Sequence, residues 1–276
     1  FRVILLSAIT IILFYSIYKM SPNFPLSIYF VATMFVIYTI SAYRQYIVMG
    51  MSLFWIYQYT LGRKKISIFG TGLLLLFHST AIISLAFLLG YHILNNKRLK
   101  KYSKFWLKYS LVLILFACII RAICYLLIQT PFFTVVLTKI LSIHAKPIPV
   151  LISSGLVARI MFLILISYIG STRKITNNVT EMLFCYYYIG MILYICIPLE
   201  FVMGRLMNNI HIISSILIPR IFYSKCKGRE IDTETLNQTA LILLGLILIA
   251  LIILFNQLTN QRGYVPYENI LFEIIR

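Results

Sequence analysis

Apolar runs of roughly 18–25 residues, separated by short basic or Pro- and Asn-containing turns, recur along this chain from its first residue. A helix needs about 20 such residues to cross a hydrocarbon core about 30 Å thick at 1.5 Å per residue. That core holds no water to bond stray peptide groups, so only helices and closed barrels cross it. Barrel strands are shorter and alternate in polarity, whereas these runs are continuous and rich in Leu and Ile. The expected fold is therefore all-α, a polytopic membrane helical bundle.

Composition agrees: 61% of the 276 residues are hydrophobic and 12% are charged, against roughly a quarter charged in soluble domains. With no linker, repeat or low-complexity tract, residues 1–276 read as a single integral membrane domain. The net charge of +18, from 25 basic and 7 acidic residues, would suggest nucleic acid in a soluble protein. Here no soluble basic face exists to dock a duplex, and Lys and Arg serve to retain loops in the cytoplasm. A nucleic-acid partner is not expected. Cys118, Cys124, Cys185, Cys196 and Cys226 form no Cys-x-x-Cys pair and read as small apolar residues rather than as a disulfide framework or zinc site.

The runs place about nine transmembrane segments, at 1–18, 26–42, 46–61, 68–94, 106–128, 150–169, 182–198, 203–222 and 240–258. Residues 130–143 read as an interfacial or re-entrant helix. The run 203–222 is the least apolar, holding Arg205, Asn208, Asn209 and His211. The first run has no charged segment before it and no cleavage site, so it reads as a span rather than a signal peptide. If all nine cross, the loops 95–104, 171–178 and 223–237 share a side. Lys97, Arg98, Lys100, Lys101, Lys104, Arg173, Lys174, Lys225, Lys227 and Arg229 then make that side cytoplasmic. Arg63, Lys64 and Lys65 fall on the opposite side in this count. A re-entrant 46–61 would bring them back.

Ionisable groups at membrane depth cost about 2.5–3.5 kcal/mol on insertion scales and so turn toward the bundle interior, a cavity or a partner. Arg121 and Arg159 lie well inside their runs, while Arg44, Arg205 and Arg220 lie near run ends. Only Glu200, and Glu181 at a boundary, are placed to pair with them. Arginines in excess of carboxylates point to a ligand that brings its own negative charge, and the guanidinium fork matches phosphate oxygens. The alternative is that each arginine snorkels to an interface or binds helix carbonyls. His78 has no second donor at metal-ligand spacing, and His92, His144 and His211 are scattered, so neither a metal site nor a cofactor is expected. Trp55, Tyr57, Tyr59, Trp106 and Tyr186, Tyr187 and Tyr188 read as interfacial belt or packing residues.

Three stretches occur in a suggestive order. Ser41-Ala42-Tyr43-Arg44-Gln45-Tyr46-Ile47 opens a helix. Leu76-Phe77-His78-Ser79-Thr80-Ala81 follows the basic turn Arg63-Lys64-Lys65. Gly263-Tyr264-Val265-Pro266-Tyr267-Glu268-Asn269-Ile270 stands near the chain end. With Arg205 and Ile218-Pro219 in the penultimate region, this order resembles the EpsG family of bacterial membrane proteins, which groups with Wzy-type polysaccharide polymerases. The resemblance runs from about residue 20 to residue 270. The family's first helices and its Gly-x-Asp-type loop are not found, so the chain resembles a member lacking roughly its first third.

The resemblance implies a bacterial cytoplasmic-membrane enzyme that polymerises repeat units carried on undecaprenyl pyrophosphate into O-antigen or exopolysaccharide. Membrane lipids and a chain-length regulator protein are the further partners. On this reading Arg44, Arg121, Arg159 and Arg205 bind the pyrophosphate, and His78 or Glu200 deprotonates the acceptor hydroxyl. A flippase or transporter for the same lipid-linked unit shares the helical bundle but more often shows two similar halves. A multi-pass chemosensory-type receptor is the alternative from another class.

Overall fold

The computed structural model describes residues 2–41, 43–93, 105–133, 149–172, 177–223, 241, 243–249 and 251. Within these, the side chains of residues 2, 34–41, 43, 154, 171–172, 200–202 and 204–208 are outside the description. The described residues form helices α1 (Arg2–Met20), α2 (Phe24–Ser41), α3 (Tyr43–Thr60), α4 (Lys64–Leu73), α5 (Ala81–Ile93), α6 (Ser110–Ile128), α7 (Ser154–Thr172), α8 (Asn178–Cys196) and α9 (Glu200–Tyr223). Residues 243–249 are helical as well, and no strand occurs among the described residues. The chain is an α-helical integral membrane protein. By length and apolarity Val3–Met20, Ser110–Ile128 and Asn178–Cys196 suffice to cross a bilayer, with shorter apolar helices at Phe24–Thr33, Ala81–Ile93 and Gly155–Gly170. The expected loop at 95–104, residues 173–176 of the loop at 171–178, residues 224–237, most of 130–143 and the motif at 263–270 lie outside the described residues.

Helix α8 is the core element, buried along most of its length and packed on α6, α7 and α9. Its start is set by Asn177, whose side chain accepts from the Val179 amide (2.8 Å), a polar N-cap. Its end is set by Pro198, which drives Ile197 to an extended conformation (φ −103°, ψ 116°). Helix α9 leans on α8 where Gly190 lets Ile210 approach; a Cβ there would sit 2.2 Å from the Ile210 Cδ1. Small residues at such crossings let backbones close up where lipid supplies no hydrophobic drive. Helix α6 shows the matching division: Ile114, Ala117, Arg121 and Ile128 are buried at helical spacing, while Leu111, Leu115, Phe116 and Ile119 face outward.

The expected single span at 68–94 is corrected. After α4 the chain passes through one 3-10 turn at Leu74–Leu76, breaks at 77–80 and resumes as α5. Helices α4 and α5 pack against each other and both pack on α3, so the segment is a helical hairpin and not a straight rod. His78 explains the break: its Nδ1 accepts from the Thr80 amide (3.2 Å) and meets the Thr80 hydroxyl (3.1 Å). A side chain that binds nearby backbone competes with helix continuation. At the hairpin's base Tyr59 of α3 meets His92 of α5 (3.4 Å). At its tip Leu74 and Ala81 pack on Val48 of α3. Gly62 turns α3 into α4 at φ +89°. The Arg63 amide donates to the Gln58 carbonyl (3.2 Å) and the Gly62 amide to the Tyr59 carbonyl (3.0 Å), the paired bonds of a Schellman stop.

Candidate functional site

Side-chain ties show which helix ends lie together. Arg220, late in α9, donates to the Met20 carbonyl at the end of α1 (2.5 Å), and Asn23 at the start of α2 donates to the Tyr223 hydroxyl. These ties mark one end of the bundle. The opposite end carries the start of α9, the end of α8 and the start of α7, joined by a Val150 amide bond to the Pro198 carbonyl (2.8 Å). Helix α2 packs along α9, so its far end and the start of α3 reach that same end. Arg44, Arg159, Glu200 and Arg205 thus stand on helices at one end of the bundle, each within the first two turns. The side chains of Glu200 and Arg205 are outside the description. Arg44 is exposed.

Arg121 makes contacts of the second kind left open by the sequence, to main-chain carbonyls. It is 2% exposed, and its guanidinium is directed at main-chain carbonyls. Nε donates to Leu151 (2.8 Å), Nη2 to Val150 (2.6 Å), and Nη1 to Ile197 (3.0 Å), with longer contacts to Ile195 (3.3 Å) and Tyr194 (3.5 Å). The last carbonyls of a helix have no intrahelical partner. Here Pro198 ends α8 among apolar neighbours, and a cation at a helix C-terminus is further favoured by the macrodipole. Carbonyl binding, one of the two fates open to a membrane arginine, is what these contacts of Arg121 show. It fastens the end of α8 to the segment entering α7.

Arg159 is placed otherwise. It is half-buried one turn into α7, donates to the Tyr194 hydroxyl and lies over the same ring, 4.5 Å from its centroid, a cation–π arrangement. Tyr194 is thereby held from two sides, by Arg121 at its carbonyl and by Arg159 at its ring. The His211 ring of α9 packs edgewise on Tyr194 (6.1 Å between centroids) and Tyr187 (6.5 Å). Its Nε2 is buried and has no hydrogen-bond partner among the described residues. His78 stands in the turn at the hairpin tip, joined to Thr80, whose carbonyl accepts from Asn209 of α9 (3.0 Å).

Sequence reading did not select Tyr194 or His211. The tyrosines were indistinguishable from packing residues, as Tyr186 is: it bonds Ser84 (2.8 Å) and stacks on Phe87. His211 stood in the least apolar run, beside Asn208 and Asn209, which gave it no distinguishing signal, and its neighbours come from helices 17–52 positions away in sequence.

The fold and this site define a class, an α-helical membrane bundle in which Arg159, Tyr194 and His211 of three different helices meet. The EpsG family model matches residues 1–269, nearly the whole chain. The protein belongs to the EpsG family. No curated protein and no solved structure matches it. Family membership supports a polysaccharide polymerase-type role.

Proposed function

We propose that this protein polymerises lipid-linked oligosaccharide repeat units, transferring a growing glycan from undecaprenyl pyrophosphate to the sugar of the next lipid-linked unit. The observation that carries the reading is the family match across residues 1–269. The cluster at the start of α7 and α9 supports it. Arg159 stabilises negative charge gathering on the departing pyrophosphate, with Arg44 and Arg205 at the same end as further phosphate ligands. Such groups count for more in a water-poor site. Arg121, held by carbonyls, orients Tyr194 rather than binding the substrate. Glu200 and His78 remain candidates for the base, and a chain-length regulator is the protein partner of this reading.

The membrane orientation follows from the hairpin. Helix α4 has 10 residues, about 15 Å at 1.5 Å per residue, too short to cross about 30 Å of hydrocarbon. A hairpin that enters and leaves on one side puts Arg63, Lys64 and Lys65 with the basic loops at 95–104, 171–178 and 223–237. The cluster that stood on the wrong side of a nine-span count then obeys the positive-inside rule. On this reading the re-entrant element is 64–93 rather than 46–61. The Arg159 end of the bundle accordingly faces away from the cytoplasm, on the outer side of the bacterial cytoplasmic membrane, where flipped lipid-linked units arrive.

Arg159→Ala and Arg159→Lys test the reading through glycan length on gels. Both are expected to shorten chains at normal protein abundance, Lys included, because it keeps the charge but loses the fork. Long chains from both variants refute the pyrophosphate role. Deleting the gene separates the reading from a flippase: unpolymerised units collect on the outer leaflet for a polymerase and on the inner leaflet for a flippase.

A further inference from the structure

A buried polar atom left without a partner in a native protein asks for an explanation, such as a ligand or an ion that completes it. His211 Nε2 is such an atom among the described residues, on a side chain only 8% exposed. Its surroundings are not those of an inert core residue. Arg159 from α7 and Tyr187 and Tyr194 from α8 are the charged and titratable groups that face it among the described residues. Asn209, two positions earlier, donates to the Thr80 carbonyl; its Oδ1 is also without a partner among the described residues but, unlike an imidazole nitrogen, is no base near neutral pH. Histidine is the side chain suited to taking and returning a proton near neutral pH, and a base must lie within hydrogen-bond reach of the hydroxyl it serves.

We infer that His211 is the general base of this site, its Nε2 receiving the proton of the acceptor sugar's hydroxyl while Arg159 faces the pyrophosphate. The assignment rests on the polymerase reading above. In the step, the hydroxyl proton passes to Nε2 and the hydroxyl oxygen bonds to the anomeric carbon. The bond from that carbon to the pyrophosphate oxygen breaks. The electron pair leaves with undecaprenyl pyrophosphate, whose charge lies against Arg159. The proton on His211 is then returned to water or to the released pyrophosphate. Tyr194, fastened by both arginines, keeps the ring and the guanidinium in register and acts as a positioning residue.

The experiment uses the full chain in lipid nanodiscs and lipid-linked repeat units extracted from cells lacking the gene. Rates are followed from pH 5.5 to 9, and affinity for undecaprenyl pyrophosphate is measured separately. His211→Gln is expected to bind undecaprenyl pyrophosphate as the unaltered protein does and to lose about 10²–10⁴-fold in rate. The unaltered protein is expected to show a rate that falls on the acid side with protonation of one group, and the variant to lack that limb. A His211→Gln rate within about fivefold of the unaltered one, or an acid limb that survives the substitution, overturns the assignment while leaving the polymerase reading intact. Should Gln at 211 prevent folding, His211→Asn decides: a rate within about fivefold of the unaltered one overturns it. Failure of the unaltered protein to lengthen any lipid-linked unit removes the polymerase reading, and the base with it.

Discussion

Arg121→Met asks whether a deeply placed arginine serves the fold or the substrate. The structure gives it three good bonds to carbonyls, at Leu151, Val150 and Ile197, and two longer ones to Ile195 and Tyr194. Methionine fills much of the volume but leaves those carbonyls unmatched. Polar groups left without a partner cost about 1–3 kcal/mol each, so three carbonyls losing their donors put the loss at a few kcal/mol. Taking about 4 kcal/mol as the loss, the melting temperature in nanodiscs should fall by on the order of 10 °C. Arg121→Lys should lose about half as much, since an ammonium has its donors on one atom and cannot span both carbonyl groups. Thermal unfolding followed by size-exclusion chromatography measures both. A Met variant that melts within about 2 °C of the unaltered protein yet makes no polymer would refute the capping argument and return Arg121 to the pyrophosphate.

Gly190→Ala drives a Cβ to 2.2 Å from the Ile210 Cδ1 and should cost about 1–3 kcal/mol as overpacking; adding Ile210→Ala should recover part of that loss, measured by the same melting assay. Gly62→Ala meets nothing within 4 Å but must hold φ +89°, so it should lose about 1–2 kcal/mol by backbone strain alone, with Gly62→Asn milder. For the hairpin, single cysteines replacing Lys65, Lys101 and Ile152 in a cysteine-free background are treated from outside with a membrane-impermeant maleimide. Ile152→Cys should label while Lys65→Cys and Lys101→Cys are protected; labelling at 65 with protection at 101 contradicts a hairpin that returns to its own side.

Much of the helical framework was legible because lipid imposes length and apolarity on each crossing. The runs at 26–42, 106–128 and 182–198 correspond closely to α2, α6 and α8. The run 203–222 was the weakest by composition and is nonetheless helical within α9. Its polar residues Asn209, His211, Ser214 and Ser215 are all buried, because α9 packs on α2, α3, α5, α7 and α8. The break within 68–94 was not legible. Four consecutive leucines mark an apolar run, and only the turn chemistry of His78 with Thr80 ends it.

The site shows the same division. Sequence put Arg159 as well as Arg121 deep in its run, whereas α7 begins at Ser154 and leaves Arg159 about one turn from its start; position in a run says nothing about what stands across the helix interface. The difference between them arises at the end of α8, where Pro198 frees carbonyls for Arg121, and at the ring of Tyr194, which takes Arg159. His211 looked isolated for the same reason, since its neighbours belong to other helices.

By itself the sequence determined that this chain lives in a membrane as a bundle of helices, that it resembles the EpsG family, and that it is strongly basic, with 25 basic against 7 acidic residues. Hydrophobic length and charge are properties of consecutive residues, so one dimension suffices to read them. Only the tertiary structure decided which arginine caps a helix and which faces a histidine, and that one apolar run folds back on itself. Those outcomes depend on side chains of different helices meeting, and on which backbone groups the packing leaves without a partner.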